Sequence, residues 1–467
     1  MSWTTIKQPT QHVLYPVYDQ ILWKVYDTSY ALSNYRYKVK VLIKPNETAA
    51  DIIAGTFVFY PLQDGTCEFD VAPILRDYVA NNFDDFDIAG FKDVVGPVVK
   101  YTLGWYRSFE TTVDQFVKYE EWRYSYDGAL SIPELLNNDA LYAERLRPSL
   151  PAYIDPVNMG SVASNVPSTL RLKLKDYYTV DFLASHPVGG WFGLLVAKYV
   201  KKISIFTYSQ NYLYGYHEYS ITRLSMNNSN YFDPSKMWVR AGIGPANLNA
   251  IPQNQWDYVG PDQTLLDGAY PIFPVIDNYC DYYDVCFIGN DDVSCLKTIR
   301  VYPDLCTEAT MFPNVTGIAH HVTYRNLDQN WLVYKNKFGA YSWLPFFAKN
   351  YKTIDVKKNQ YDKRLGYGTS IYSRSNSAIG SAITETYSLN SDYVPVCEQG
   401  FYEELLCSPS VYLIKPTLAD GTSAPYEPAL PVTVKEGSYT IQTQKNVKLV
   451  QYAVEVQAHS QKIIQRS

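Results

Sequence analysis

Regular alternation of apolar and polar residues marks the N-terminal part of the chain. Between Asn34 and Pro45, and again between Val99 and Trp105, every second side chain is apolar. Because successive side chains of a strand point to opposite faces, this period of two predicts strands with one buried face. Segments 21–26 and 56–60 are apolar without regular alternation, which predicts more fully buried strands. The alternating positions are Tyr35, Tyr37, Val39, Val41 and Ile43, then Val99, Tyr101, Leu103 and Trp105.

A helical period interrupts these strands after Asp70. Apolar residues then follow at the spacing of one helix face, and Pro73 stands in the first turn, where its missing N–H costs little. Asp70 is the predicted N-cap. We therefore interpret residues 1–127 as a β-sandwich-like domain carrying one helix. The apolar positions of that helix are Val71, Ile74, Leu75, Tyr78 and Val79.

The middle region, residues 128–318, has weaker patterns. A short helix is predicted from Pro133 towards Arg147, and strands are predicted over 170–174, 194–200 and 203–208. Turn-forming residues dominate elsewhere, so 226–298 is predicted to be largely irregular. Long loops often carry contacts, and we interpret this region as a loop-rich β domain or an insertion.

The C-terminal region, residues 319–467, returns to regular patterns. Strands are predicted over 321–334, 383–389 and 411–414, and a helix with apolar positions from Val394 to Leu405 is predicted after the cap Asp392. A last alternating run carries apolar residues at every second position from Val450 to Val456. The expected fold is mainly β, a multi-domain β-sandwich architecture with a few short amphipathic helices.

Composition adds a high tyrosine content to this picture. The 467 residues include 44 Tyr, and 46% of the chain is hydrophobic, which excludes compositional disorder. Tyrosine suits strands and also protein interfaces, where one end of the ring is apolar and the other is wet. The net charge of -6 gives no basic excess, so nucleic acid is not expected as a main partner.

The N-terminus, the lengths of the apolar runs and the cysteines indicate a protein made in a cytosol. The N-terminus lacks the basic and apolar segments of a secretory signal, and no apolar run reaches the ~18 residues that a membrane span needs. Seven cysteines at irregular spacing, without a C-x-x-C pair, argue against a disulfide framework or a zinc site. Four of them fall between Cys280 and Cys306.

Known catalytic motifs are missing from the sequence. It contains no G-x-S-x-G elbow, no G-x-x-x-x-G-K-[ST] loop and no H-E-x-x-H motif. His320 and His321 would point to opposite faces of a strand. The acidic residues of 281–292 lack the spacing of a calcium loop, so solvated turn carboxylates are the preferred interpretation. We therefore expect no enzyme, no catalytic, cofactor-binding or metal residues, and no cofactor. The acidic residues are Asp281, Asp284, Asp291 and Asp292.

Tryptophans in the middle region leave a carbohydrate-binding alternative open. Trp191, Trp238 and Trp256 lie among many tyrosines, and such rings can stack on sugars. Core packing and protein contact explain the same residues. A glycan-degrading enzyme is the weakest alternative, since a carboxylate pair of suitable spacing is a property of the fold.

Two parts of the sequence resemble a known family. The first is PVYDQILWKVYDTS near Pro16 together with CEFDVAPILRDYV ending at Val79. The second comprises WLVYKNKFGAYSWLPF at 331–346, TETYSLNSDY at 384–393 and KNVKLVQYAVEVQ at 445–457. Together they resemble virion structural proteins of tailed phages that infect Bacteroidetes, the crAss-like phages included.

The resemblance implies a role in the tail or neck of a virion. Such a protein would be a tail hub, baseplate, neck or fibre-connector component, assembled in the host cytoplasm. Its partners would be other tail or neck proteins, further copies of itself in a ring, and tail fibres. The alternative within the same setting is a tail protein that recognises host surface glycans.

Overall fold

A computed structural model of the chain shows a mainly β protein with several multi-stranded sheets and short helices. It describes residues 2–9, 14–46, 48–83, 86–110, 113–129, 169–174, 176–183, 200–221, 233–258, 276, 280–289, 295–304, 330–337, 339–348, 350–362, 366–367, 370, 376–391, 394–395, 399–414, 429–435, 442–444 and 449–458. The chain forms two compact units, the first from residues 1–305 and 336–342, the second from 306–335 and 343–467. Both 1–127 and most of the predicted middle region contribute to the first unit.

The N-terminal part of the first unit contains ten strands among the described residues. They are β1 (Trp3–Lys7), β2 (Leu14–Pro16), β3 (Leu22–Asp27), β4 (Arg36–Lys44), β5 (Ile52–Phe59), β6 (Thr66–Asp70), β7 (Phe91–Asp93), β8 (Val98–Ser108), β9 (Gln115–Tyr119) and β10 (Arg123–Tyr126). Helix α1 (Ala72–Leu75) follows β6 and continues as a 3-10 turn, Arg76–Tyr78; another such turn is Thr28–Ala31.

Two of the sheets in this part share one hydrophobic core. The first has the order β1-β3-β6, and the second has the order β2-β10-β8-β4-β5 with β9 paired to β8. Trp23 and Phe69 of the small sheet belong to the same buried cluster as Val39 and Trp105 of the large one. The centroids of the Phe69 and Trp105 rings lie 6.5 Å apart. This packing is a β-sandwich, in which the inward residues of both sheets form the core.

The alternation in the sequence correctly identifies the buried face of β4. Tyr35, Tyr37, Val39, Val41 and Ile43 are buried, and the residues between them are not. In β8 the predicted positions are buried, but Lys100 and Thr102 between them are buried too, so the prediction of a single buried face is wrong for β8. Residues 120–122 lie against its second face, where the Thr102 hydroxyl donates to the Glu120 carbonyl at 2.6 Å. The prediction for 56–60 is wrong, because Val58 and Tyr60 are exposed. Here β5 is the edge of the large sheet, and nothing among the described residues covers its outer face.

The helix after Asp70 is shorter than its apolar period predicts. Val71 is the N-cap of α1 and makes no side-chain capping bond. Asp70 instead accepts a hydrogen bond from the backbone N–H of Ala72 at 3.1 Å and from that of Ile21 at 2.9 Å. The Asp70 carboxylate therefore links the first residue of α1 to Ile21, which directly precedes β3.

The remaining strands of the first unit build two further sheets. They are β11 (Thr169–Lys173), β12 (Thr179–Leu183), β13 (Val200–Ser209), β14 (Tyr212–Ser220), β15 (Trp238–Gly242), β16 (Asp257–Tyr258), β17 (Tyr282–Gly289) and β18 (Cys295–Asp304). The sheets have the orders β11-β18-β17-β13-β14-β16 and β12-β15-β7. Helix α2 (Pro245–Asn249) and the 3-10 turns Pro234–Lys236 and Gln253–Gln255 connect them.

The interpretation of 226–298 as irregular is therefore wrong for its described part, which contains α2, β15, β16, β17 and the start of β18. Strands such as β15 are buried on both faces, so they carry no alternation that sequence reasoning could detect. The predicted helix at 133–147 and most of the predicted strand at 194–200 lie outside the described residues.

The second unit is built around a seven-stranded sheet. The described strands of this unit are β19 (Asn330–Lys335), β20 (Tyr341–Phe346), β21 (Tyr351–Asp362), β22 (Asn376–Asn390), β23 (Val394–Pro395), β24 (Val411–Ile414), β25 (Leu430–Val434), β26 (Gln442–Gln444), β27 (Leu449–Gln451) and β28 (Ala453–Ala458). Its described helix is α3 (Gln399–Cys407). The sheets have the orders β20-β19-β24-β25-β28-β22-β21 and β23-β27-β26. Tyr402 and Leu405 of α3 pack into the core of this unit.

Two predictions in the second unit need correction. The helix predicted from Val394 begins only at Gln399, because Val394 precedes a proline and is held extended in β23. The alternating run at 450–456 is buried at every second position, but it divides at Tyr452 between β27 and β28, which belong to different sheets. The predicted cap Asp392 lies outside the described residues.

β21 and β22 form a long two-stranded ribbon. The register runs from Tyr351 opposite Ser388 to Asp362 opposite Asn376, whereas β28 pairs with β22 only from Thr386 to Asn390. Along most of their length, β21 and β22 thus pair only with each other among the described residues. None of the described helices is long and apolar enough to cross a membrane.

Candidate interaction surface

The outer face of the large N-terminal sheet carries aligned apolar and basic side chains. The strand register places Val58, Lys38, Tyr106 and Phe116 in one row across β5, β4, β8 and β9. The next row contains Thr56, Lys40, Gly104 and Tyr119. These positions alternate with the buried ones, so all of them point away from the core. We call the surface formed by Val58, Tyr60, Tyr106, Phe116 and Tyr119 the aromatic face.

Three rings of the aromatic face contact one another. The Phe116 centroid lies 5.5 Å from that of Tyr106 and 4.9 Å from that of Tyr119. Gly104 makes this arrangement possible, because a Cβ at that position would lie 2.7 Å from a ring carbon of Tyr119. A hydrogen bond with Tyr106 raises the pKa of Tyr119 above its ordinary value, so the Tyr119 hydroxyl stays protonated at neutral pH.

Basic side chains border these rings. The Lys40 ammonium lies 4.7 Å from the centroid of Tyr106, and the Arg36 guanidinium lies 5.8 Å from that of Tyr60. Lys38 forms an ion pair with Asp114. Aromatic rings and arginine are enriched at the centres of protein interfaces.

Exposure distinguishes the aromatic face from ordinary sheet surface. Tyr60 is 69% exposed, Tyr119 55%, Phe116 53% and Val58 52%. Isolated exposed apolar side chains need no explanation, but a group of them on one sheet face is typical of an interaction site. The arrangement is flat and offers rings and methyl groups, so it fits another protein surface better than a small ligand, which prefers a concave pocket.

A buried polar cluster holds the inner side of this sheet rigidly. Asp27 accepts hydrogen bonds from the Tyr35 hydroxyl at 2.7 Å, from Arg107 at 3.0 Å and from the Ser29 N–H at 2.9 Å. Burial alone would raise the pKa of Asp27, but these donors outweigh it and hold the pKa below its ordinary value. The Tyr37 hydroxyl donates to the carbonyl of Gly65 at 2.5 Å. The Asp27 carboxylate and the hydroxyls of Tyr35 and Tyr37 all have hydrogen-bond partners, so the cluster is structural.

A second buried cluster centres on an ion pair within the first unit. Arg240 on β15 stands opposite Asp181 on β12 and donates to both of its carboxylate oxygens, at 2.8 and 3.1 Å. Arg240 also donates to the Asn81 side chain at 3.2 Å and to the Asn82 carbonyl at 3.1 Å. Because no solvent reaches the pair, we assign it a structural role: it links β12, β15 and the segment at Asn81 and Asn82.

This cluster anchors the turn at 336–342. Asp181 accepts from the Tyr341 N–H at 3.1 Å, and the Tyr341 hydroxyl donates to the Asn81 carbonyl at 3.0 Å. The Asn81 amide donates to the Gly339 carbonyl at 2.7 Å. Gly339 has φ +74, and a Cβ there would lie 1.6 Å from the carbonyl oxygen of Asp127. Only glycine fits this turn.

Two of the three tryptophans proposed to stack on sugars are buried and not available for stacking. Trp238 is fully buried in the core of the first unit, and Trp256 is buried beside His217, with ring centroids 5.1 Å apart. Trp191 lies outside the described residues. The carbohydrate-binding alternative therefore loses two of the three residues on which it rested.

The acidic residues and histidines likewise form no described site. Asp284 is paired with Arg300 at 2.8 Å, and Asp281 accepts a hydrogen bond from the Gln210 N–H. Within the part of the chain that the structure describes, no group of three or more His, Cys, Asp or Glu side chains is placed to hold a metal ion. Asp291, Asp292, His320 and His321 lie outside that part.

Sequence reasoning missed the aromatic face because its members come from β8, β9 and β5 with the residue that follows it, Tyr60. Only the strand order brings them together, and only the uncovered edge leaves them exposed. The usable signal was the tyrosine content of the chain. No model of a known protein family matches the chain, and no curated protein matches it in sequence.

Proposed function

We propose that this chain is a structural component of a tailed-phage virion and acts through protein–protein assembly. The place we propose is a tail hub, baseplate, neck or fibre connector, with further copies of the chain in a ring. The resemblance of the two ends of the sequence to virion proteins supports this role. The aromatic face is the observation that carries it, because such a surface calls for a protein partner.

Simple arithmetic shows that the aromatic face can supply useful binding energy. A tyrosine or phenylalanine exposes ~150–250 Å² when free, so a ring that is about half exposed still has ~100 Å² to bury. At ~25 cal/mol per Å², each such ring contributes roughly 2.5 kcal/mol on docking. Three rings together give enough to anchor an interface of standard size, although part of the gain is offset by the cost of association.

The ribbon of β21 and β22 offers a second surface in the other unit. Tyr351, Ile354 and Val356 are exposed along β21, which is the edge strand of its sheet. An isolated two-stranded ribbon is marginally stable in water, and its open edge can pair with a strand of a neighbour. A protein that presents such an edge gains stability in an assembly.

Complementation of a phage that lacks the gene tests the proposal. We expect the double substitution Phe116→Ser/Tyr119→Ser to leave the purified chain folded, by circular dichroism, but to reduce its incorporation into particles at least tenfold. Tyr212→Ser is the matched control, since Tyr212 is 62% exposed but stands on another sheet. Absence of the unmodified chain from purified virions, or equal incorporation of all three proteins, would refute the proposal.

A further inference from the structure

Two cysteines lie on the same face of a hairpin in the first unit. Cys286 on β17 stands opposite Thr298 on β18, and Cys295 stands opposite Ile288. A register shift between Phe287 and Ile288 separates the two pairs. One extra residue in β18 at this bulge turns the Cys295 side chain to the face that Cys286 occupies.

The two sulfur atoms share their surroundings. The Sγ of Cys295 lies 3.1 Å from the Thr298 hydroxyl oxygen, and the Sγ of Cys286 lies 3.6 Å from the same atom. Cys295 is exposed, whereas Cys286 is half-buried. An oxidant in solution therefore reaches Cys295 more readily than Cys286.

The closeness of the two thiols also affects their reactivity. Donation from Cys286 lowers the pKa of Cys295 to about 6, although burial and the nearby Asp284 act in the opposite direction. The same interaction raises the pKa of Cys286, so that thiol keeps its proton. At neutral pH the exposed Cys295 sulfur is thus the nucleophile, and the half-buried Cys286 is the resolving thiol.

We propose that Cys286 and Cys295 are a redox-active pair that closes into a disulfide across the β17–β18 hairpin when the chain meets a small disulfide oxidant. The Cys295 thiolate attacks a sulfur of the oxidant, forms a mixed disulfide and releases one thiolate of the oxidant. Cys286 then loses its proton and attacks Cys295, which forms the internal disulfide and releases the second thiolate. The two cysteines are oxidised by two electrons and the oxidant is reduced to two thiols.

The disulfide would link two neighbouring inner strands, β17 and β18, of a six-stranded sheet. β17 pairs with both β13 and β18, so a covalent link between β17 and β18 fixes the register on which the neighbouring strands depend. Cross-linking also restricts the unfolded chain, which raises the thermal midpoint of the first unit. The inference is independent of the proposed virion role, since it rests on the hairpin alone.

Oxidation of the purified full-length chain with oxidised glutathione tests the proposal. We expect peptide mass spectrometry to show a Cys286–Cys295 disulfide with both hydrogens lost, and dithiothreitol to reverse it. In Cys286→Ser the same treatment should leave a stable glutathione adduct on Cys295. Cys407 is the control, because it is exposed on α3 and should give only the adduct in every variant.

Two outcomes would overturn the inference. One is a stable glutathione adduct on Cys295 of the unmodified chain, which would show that Cys286 does not resolve it. The other is a disulfide from Cys295 to any cysteine except Cys286. If Cys286→Ser fails to fold, the product formed by the unmodified chain decides alone.

Discussion

Removal of Arg240 tests whether the buried ion pair holds the first unit together. In Arg240→Ala the Asp181 carboxylate loses two charge-assisted hydrogen bonds, each worth ~1.5–3 kcal/mol. It keeps the Tyr341 N–H at 3.1 Å and the Asn81 amide at 3.4 Å. We therefore expect a loss of about 3–4 kcal/mol, in the lower part of the range for breaking a buried pair.

Arg300 provides a matched control in the same unit. It also donates to both oxygens of an aspartate, Asp284, at 2.8 Å each. Its side chain is 42% exposed and that of Asp284 11%, against 0% for Arg240 and 1% for Asp181. Solvent screens such a pair, so Arg300→Ala should cost no more than about 1 kcal/mol.

Urea unfolding followed by tryptophan fluorescence and far-ultraviolet circular dichroism measures both variants. The first-unit transition of Arg240→Ala should shift far more than that of Arg300→Ala at an unchanged slope. The double variant Asp181→Leu/Arg240→Met should recover part of the loss, because no buried charge is then left unpaired. Equal shifts for the two arginine variants would refute the assignment of Arg240 as a structural anchor.

Three further predictions concern the turn, a histidine and the exposed thiol. In urea unfolding, Gly339→Ala should destabilise the first unit by more than the roughly 1–3 kcal/mol of left-handed strain, since its Cβ would also meet a backbone carbonyl. The control Gly400→Ala has open space around the new Cβ and should not destabilise the second unit. Burial lowers the pKa of His217, so the unfolded chain takes up a proton first as pH falls through about 6.5. Stability should therefore decrease below that pH, and His217→Gln should weaken the decrease; a pH series of thermal midpoints without this difference would contradict the assignment. Iodoacetamide should alkylate Cys295 with a half-maximal rate near pH 6, because the pKa of this thiol is lowered to about 6; a midpoint near pH 8.5 in mass-spectrometric rates would contradict it.

The sequence predicts those features that depend on local periodicity. The buried face of β4 follows from its alternation, since one side of the strand meets the core. The alternation of β8 identifies its core side, but it does not show that Lys100 and Thr102 on the other side are buried as well. The alternation at 450–456 also identifies the buried side chains correctly. It cannot show that the chain changes sheets at Tyr452, because the side-chain period does not record which strands are neighbours.

The features that decide interaction depend on neighbours distant in sequence. Segment 56–60 has the composition of a buried strand, and only its place at a sheet edge exposes Val58 and Tyr60. Arg240 would be expected at the surface from its chemistry alone. Its burial is possible because Asp181 stands opposite it on another strand, a pairing that neither local segment encodes. Long-range strand order therefore sets the limits of prediction for this chain.

The most direct test of the assembly role is hydroxyl-radical footprinting of the chain, free and within purified virions, read out by mass spectrometry. The proposal predicts that the chain is present in particles and that Phe116 and Tyr119 are at least fivefold less oxidised there than in the free protein. Absence of the chain from virions, or equal oxidation of these two rings in both states, would contradict the account.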